Sequence, residues 1–389
     1  PVETPIPLMR QASEGNTIYR IGLDARPLST RVSGVGRLIA ETIRHFPEKE
    51  NYQFVLFSHL PIHESHKTIL QLPNVEFHQG KGLLSKKGAT YFNLSLPLSL
   101  NQFHLDLFWG SQQVIPPLFF SKLPIVLTYC DLVLYKYPET MRLLAAIQQR
   151  LVQGYSVRKS DFILSISEQT RVDLVKHFNY PENKTGVAYP GVDVKEAINS
   201  SLKTPSDRIK NLKKPYLLSV STIEPRKNYP FLLEAFKEYR KLTTNSRLHW
   251  VIAGKVGWEK ESFLSELKNE MAEYNDIILL DNVDDIDLHN LYKGCEIFLF
   301  ASVYEGFGIP LLEALAHKRK CIVSDIPTFR EIGKDKISYL KTENPKLWAE
   351  EINKLEKSNI IPKINLDFFS WENSARITKN VFDSLLQKI

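Results

Sequence analysis

Glu305-Gly306-Phe307-Gly308-Ile309-Pro310-Leu311-Leu312-Glu313 follows closely on the apolar run Ile297–Phe300. A short, uninterrupted apolar run reads as a buried strand, and Pro310 suits the first turn of a helix, here over Ile309–Ala316. Strand, turn and helix in that order are the unit from which parallel sheets are built. Gly306 and Gly308 free backbone N–H groups at the helix start, where the dipole favours an anion, so a phosphate is the expected guest. Glu305 precedes the turn and Glu313 lies inside the helix. The anion site therefore separates the two carboxylates, which are not paired as in a glycosidase. Carboxylates accept strongly from the hydroxyls of sugars and riboses. The bland alternative is a helix-capping turn with two solvated glutamates, which the upstream strand and the other loops disfavour.

The same rhythm extends outward in both directions. In the second half, strands are expected at Tyr216–Val220, His249–Ala253, Ile277–Leu280, Ile297–Phe300 and Cys321–Ser324, with helices at Phe231–Lys241, Glu259–Glu273, Asp287–Lys293 and Ile309–Ala316. The first half offers strands at Ile18–Leu23, Gln53–Phe57, Leu105–Trp109, Ile125–Tyr129, Phe162–Ile166 and Gly186–Tyr189. Apolar residues at three- and four-residue intervals mark helices at Val35–Phe46, Tyr137–Arg158 and Glu168–Phe178. A polar stretch from Lys195 to Lys214 reads as a linker. A chain of 389 residues, 43% hydrophobic, suffices for two cores. The expected fold is α/β, with two Rossmann-like domains facing across a cleft. The N-terminal domain takes residues 1–194, joined by a C-terminal helix over 371–389; the linker takes 195–214 and the C-terminal domain 215–370. In open α/β sheets ligands bind beyond the carboxyl ends of the strands, so the loops after Leu23, Tyr129, Val220, Ala253 and Phe300 should line one site.

Ser219-Val220-Ser221-Thr222-Ile223-Glu224-Pro225-Arg226-Lys227-Asn228 brings two cations to one of those loops, a counter-charge for a diphosphate that requires no metal. A solvated basic turn is the alternative. Gly34-Val35-Gly36-Arg37 lacks the third glycine of a dinucleotide fingerprint, having Ile39 in its place, and suits a loop over a pyrophosphate or acceptor better than NAD binding. The cysteines Cys130, Cys295 and Cys321 fit neither a zinc nor a disulfide pattern, in keeping with a cytoplasmic protein. No apolar run suggests a membrane span or a leader. The net charge of +6 is mild, and no nucleic-acid motif accompanies it. Lys81-Gly82-Leu83-Leu84-Ser85-Lys86-Lys87 mixes basic and apolar residues and is compatible with either peripheral contact at the anionic inner face of the plasma membrane or a charged surface loop. His45, His59, His63, His66, His78 and His104 have no metal-ligand spacing.

Together these segments resemble the retaining family 4 glycosyltransferases, or group-one transferases, of GT-B architecture. The resemblance rests on Asp24 with Gly34–Arg37, Asp131-Leu132 before Pro138-Glu139, Ser167-Glu168, Pro190-Gly191-Val192-Asp193, Glu224–Asn228, Ala253-Gly254-Lys255, the Glu305–Glu313 element, Glu331-Ile332-Gly333 and Phe369-Ser370-Trp371-Glu372. It implies a metal-independent hexosyltransferase with a nucleotide diphosphate sugar as donor and a glycan or lipid-linked acceptor, in cell-surface polysaccharide or lipopolysaccharide synthesis, nearest the mannosyltransferase branch. By position it implies that Glu313 holds the ribose hydroxyls. Glu305 and the amides of Gly306, Phe307 and Gly308 would face the sugar and phosphates. Arg226 and Lys227, with Thr222 on the same loop, would meet the diphosphate, and Val283 would lie beside the base. Gly34 and Gly36 would approach the diphosphate from the other domain, and the catalytic set would be Glu305, Arg226, Lys227 and Asp131. The sequence departs from the family pattern at Cys130, where a histidine is usual, and at Ser221 and Ala301, where a glycine and a proline are. A nucleotide-sugar binding protein without activity, and an epimerase or phosphorylase on the same fold, fit the same residues less specifically.

Overall fold

The computed structural model describes residues 17–30, 34–117, 122–137, 143–243 and 248–387. Pro138 and Glu139 lie outside them. Seven strands of the first half, β1 (Tyr19–Asp24), β2 (Tyr52–Ser58), β3 (Val75–Gln79), β4 (Leu107–Gly110), β5 (Ile125–Tyr129), β6 (Phe162–Ser165) and β7 (Thr185–Val187), form a sheet in the order β3-β2-β1-β4-β5-β6-β7. The second half supplies β8 (Tyr216–Val220), β9 (His249–Ala253), β10 (Ile277–Leu280), β11 (Ile297–Phe300), β12 (Lys320–Ser324) and β13 (Ser338–Leu340), in the order β10-β9-β8-β11-β12-β13. The neighbouring strands run parallel, and both sheets are doubly wound α/β structures. The strands read as near-continuous apolar runs because helices cover both faces: every residue of Leu107–Gly110, Ile125–Tyr129 and Ile297–Phe300 is buried.

The described chain divides into two compact units, one drawn from residues 1–128, 155–162 and 378–389, the other from 129–154 and 163–377. In the first unit, the end of the final helix, Trp371–Leu386, is bound to the sheet it follows in space: Phe382, fully buried, packs 5.7 Å from Phe46 and 5.9 Å from Trp109. The Tyr52 hydroxyl donates to Asp383, and Lys379 pairs with Glu48 at 3.0 Å. In the second unit, two apolar clusters lie on opposite faces of the six-stranded sheet. One gathers Phe298, Phe300, Leu311, Leu312 and Phe329; the other Leu217, Trp250, Ile252, Leu299 and Trp348.

The stretch read as a linker carries two short helices, Val194–Ser200 and Asp207–Lys210. Asp287 fixes it by accepting from the N–H and hydroxyl of Ser206 at 2.8 and 2.6 Å. Of the expected helix Tyr137–Arg158, residues 138–142 lie outside the described residues and the rest falls in the helix Leu143–Lys159, except Tyr137, which follows a short helix at Val133–Lys136. Strands β3 and β13 and the helices Pro327–Gly333 and Pro345–Glu356 add to the expected elements.

Candidate active site

The order of the second sheet turns back between β8 and β11, its topological switch point, and the crevice beyond such a point is where doubly wound sheets bind ligands. The loops leaving those two strands are Ser221–Asn228 and Ala301–Gly308, which carry the two most distinctive motifs of the sequence. The Arg226 carbonyl accepts from the Val303 N–H at 3.0 Å, and the Arg226 guanidinium donates to the Tyr304 carbonyl at 3.0 Å, so each loop fixes the other. Pro225–Lys227 forms one 3-10 turn that Asn228 closes in the left-handed region, φ 57°. Asparagine tolerates that conformation better than most residues. The turn directs both cations inward.

Arg226 and Lys227 converge on Glu305. The Lys227 ammonium lies 2.5 Å from Oε1, the Arg226 guanidinium 2.7 Å from Oε2, and the Ser302 hydroxyl donates to Oε1 at 2.7 Å. Arg226 also donates to Glu224 at 2.8 Å. Burial alone would raise the Glu305 carboxyl, but Lys227 and Arg226 outweigh it and hold the group at about 2. Burial pulls the Lys227 ammonium below its ordinary value against the opposing attraction of Glu305. Two cations and two carboxylates thus make a buried, charge-balanced cluster.

The turn beyond Glu305 has the features that its glycines imply. Gly308 adopts φ 126°, a conformation that L side chains rarely accept, and caps the helix Ile309–Ala316. Among the described residues, none accepts a hydrogen bond from the N–H groups of Gly306, Phe307 or Gly308. The Phe307 side chain is buried near Tyr189 and Phe369, so only its main chain faces the turn's ligand side. A Cβ at Gly306 would stand 2.0 Å from the Cys130 carbonyl oxygen. The loop after β5 therefore lies directly on the turn.

That contact brings Asp131 to the cluster. Its carboxylate accepts from the Val133 N–H at 3.0 Å. Burial raises its pKa while the Val133 N–H and Arg226 lower it, and Glu305 raises it further. Cys130 is buried, and burial with Asp131 beside it pushes the thiol up, which keeps it protonated and unsuited to act as a base. The Leu132 N–H donates to the Tyr304 hydroxyl at 3.1 Å, and the Thr170 hydroxyl donates to the Gly306 carbonyl at 3.1 Å. From the helix Pro327–Gly333, Glu331 accepts from the N–H groups of Glu168 and Gln169 at 2.9 and 2.8 Å.

The remaining sequence-derived residues are placed as follows. Glu313 is buried, and its Oε2 accepts from the Tyr292 hydroxyl at 2.9 Å. Val283 follows β10, half-buried against the apolar cluster, and Thr222 is exposed on the loop after β8. Gly34 and Gly36 open the helix Gly34–Arg44 of the first unit. Ser302, Tyr304, Thr170 and Tyr292 were not evident as site residues from the sequence. Ser302 had the only local signal, lying on the same loop three residues before Glu305. Among the described residues, no group of three or more His, Cys, Asp or Glu side chains is arranged to hold a metal ion. No helix among them is long and apolar enough to cross a membrane.

Comparison with known proteins places this geometry. Residues 202–368 match the family described as Glycosyl transferases group 1, and residues 32–196 match Glycosyltransferase Family 4. The serotype-specific mannosyltransferase WbdA of Escherichia coli is 33% identical over 172 residues, 43% of this chain and 21% of that protein. The O-antigen chain mannosyltransferase RfbU of Salmonella typhimurium is 25% identical over 231 residues, 59% of this chain and 60% of that one. The chain thus spans about a fifth of the first relative and three-fifths of the second. Among solved structures, a glycosyltransferase from Rickettsia africae superposes with a TM-score of 0.70 at 16% identity, covering 96% of this chain and 100% of that one. Anabaena HepE in complex with UDP and glucose gives 0.63 at 16% identity, covering 95% and 98%. With both family patterns matched in succession and the double parallel-sheet architecture shared, the chain belongs to the family 4, group-one glycosyltransferases of GT-B fold.

Proposed function

We propose that the protein transfers a hexose, with mannose the leading candidate, from a nucleoside diphosphate sugar to a hydroxyl of a glycan or lipid-linked acceptor in cell-surface polysaccharide synthesis, retaining anomeric configuration. The observation that carries this reading is the convergence of Arg226 and Lys227 on Glu305 beside a glycine turn with unpaired amides, at the switch point of a doubly wound sheet. The names of the relatives WbdA and RfbU support the choice of mannose. Arg226, Lys227 and the amides of Gly306, Phe307 and Gly308 stabilise the charge that develops on the diphosphate as the bond from its terminal oxygen to the anomeric carbon breaks. Glu305 orients the sugar, and Glu313 takes the ribose hydroxyls. The acceptor oxygen bonds to the anomeric carbon on the face the phosphate leaves, and its proton passes to the departing phosphate oxygen. Asp131 stands beside the turn as the remaining carboxylate of the catalytic set.

Exposed Leu83 and Leu84, flanked by exposed Lys81, Lys86 and Lys87, support peripheral contact with an anionic cytoplasmic membrane surface that presents the acceptor. The reaction as proposed calls for no metal and no cofactor.

Lys227→Ala is the direct test. With a nucleoside diphosphate sugar chosen by thermal-shift screening, turnover is expected to fall by about tenfold or more, the scale of a lost oxyanion-type donor. Unchanged turnover would overturn the role of Lys227. Donor binding with no transfer in the unaltered protein would favour instead a binding protein, a reading that the replacement of the family histidine by a protonated Cys130 keeps specific.

A further inference from the structure

The two carboxylates of the Glu305–Glu313 stretch are held by different means. Glu305 is gripped by cations, whereas Glu313, 3% exposed, has a hydroxyl on Oε2, that of Tyr292 at 2.9 Å. Tyr292 comes from the helix Asp285–Gly294 and is fully buried. Its ring is fixed from two sides: it stacks on His317 with the planes 11° apart and the centroids 5.7 Å apart, and it meets Phe298 at 5.9 Å. His317 is itself tied to His289, Nε2 to Nδ1, at 3.0 Å. The ring is thus packed in place with its hydroxyl directed at Oε2 of Glu313.

We propose that Tyr292 is a positioning residue for ribose recognition: its hydroxyl sets the rotation of the Glu313 carboxylate so that this group meets the vicinal hydroxyls of the donor's ribose. The inference rests on the assignment of Glu313 to the ribose under the proposed function. A carboxylate has about four lone-pair sites, and the vicinal hydroxyls of a ribose call on two of them. Hydrogen bonds to a charged acceptor are the strong ones.

Tyr292→Phe deletes one oxygen and keeps the ring on His317. The readout is the ratio of affinities, by calorimetry on the full chain, for the tighter-binding of GDP and UDP against its 2′,3′-dideoxy counterpart. The unaltered protein is expected to prefer the ribonucleotide by about tenfold or more, the effect of hydrogen bonds to a charged group. In Tyr292→Phe the ratio is expected to fall below about threefold while dideoxynucleotide affinity stays within about twofold. In a Glu313→Ala background, adding Tyr292→Phe should leave the ratio unchanged. A retained ratio in Tyr292→Phe, an equal loss for both nucleotides, or a further fall in the double variant would overturn the positioning role alone. No ribose preference in the unaltered protein would overturn the assignment of Glu313 and the inference with it.

Discussion

Glu305 occupies the place where two cations would otherwise present their charge to a phosphate. In the protein by itself, Arg226 and Lys227 are balanced by Glu224 and Glu305, so the diphosphate of the proposed donor would share those cations with a carboxylate held ionised down to about pH 2. Glu305→Gln removes that competitor but also the group proposed to orient the sugar. Nucleoside diphosphate affinity is expected to rise several-fold, more at low salt than at high, while sugar transfer falls by about tenfold. Calorimetry and initial rates measure the two effects separately, and an unchanged affinity would show that the carboxylate does not compete. A stability cost on the order of 3 kcal/mol is expected as well, because Lys227 is left buried without its counter-ion. At this scale the sequence identified the participants but not their pairing. Lys227 and Glu305 are 78 positions apart, and nothing in either motif states that its charge is spent on the other. Tyr292 and His317 were illegible for a related reason: an aromatic and a histidine at helical spacing look like core, and only their packing directs the phenol at Glu313.

Among the elements, the buried strands were the most legible because parallel strands covered on both faces leave an unbroken apolar run. Ile125–Tyr129, Tyr216–Val220, His249–Ala253, Ile277–Leu280 and Ile297–Phe300 have the bounds expected of them. Two of the edge strands, β3 and β13, were not seen. Val75–Gln79 is Val-Glu-Phe-His-Gln, with no fully buried residue, and Ser338–Leu340 is likewise half-exposed, so neither needs the apolar run that marks an inner strand. The glycine turn was legible as a turn that opens a helix, but its second constraint was hidden in another element, the loop after β5. Gly306→Ala tests that constraint, since the new methyl would meet the Cys130 carbonyl, a backbone atom with little freedom to retreat. The turn should be forced away from Asp131, with a loss of about 2 kcal/mol or more in stability and a fall in turnover exceeding that in donor affinity. A thermally unchanged, fully active Gly306→Ala would mean that the close approach is not maintained in solution.

Over the whole molecule, the buried cluster and the histidine pair divide the acid response into two windows. Burial first, then His289, Arg319 and Lys293, push His317 from its ordinary value of 6.5 to about 4. The folded protein thus keeps the ring neutral where the unfolded chain takes up a proton. Stability from this group is complete above pH 6.5 and lost as the pH falls toward 4, by on the order of 3 kcal/mol. Glu305 acts lower. Its carboxyl, 4.5 in the ordinary range and about 2 when folded, contributes fully above pH 4.5 and loses its contribution between there and about 2. His317→Phe keeps a ring against Tyr292 but cannot be protonated, so it should shrink the upper window, to which His59 and His249, also lowered by burial, still contribute, and spare the lower one. In urea unfolding at fixed temperature, the unaltered protein's midpoint is expected to decline between pH 6.5 and 4.5, while that of His317→Phe declines less and the two curves run parallel below 4. The variant starts lower at pH 7 because the bond between His289 and His317 is lost, which makes the slope, not the level, the decisive quantity. Equal slopes above pH 4.5 would show that His317 is protonated alike in the folded and unfolded chains, and that its burial beside His289 does not govern the molecule's tolerance of acid.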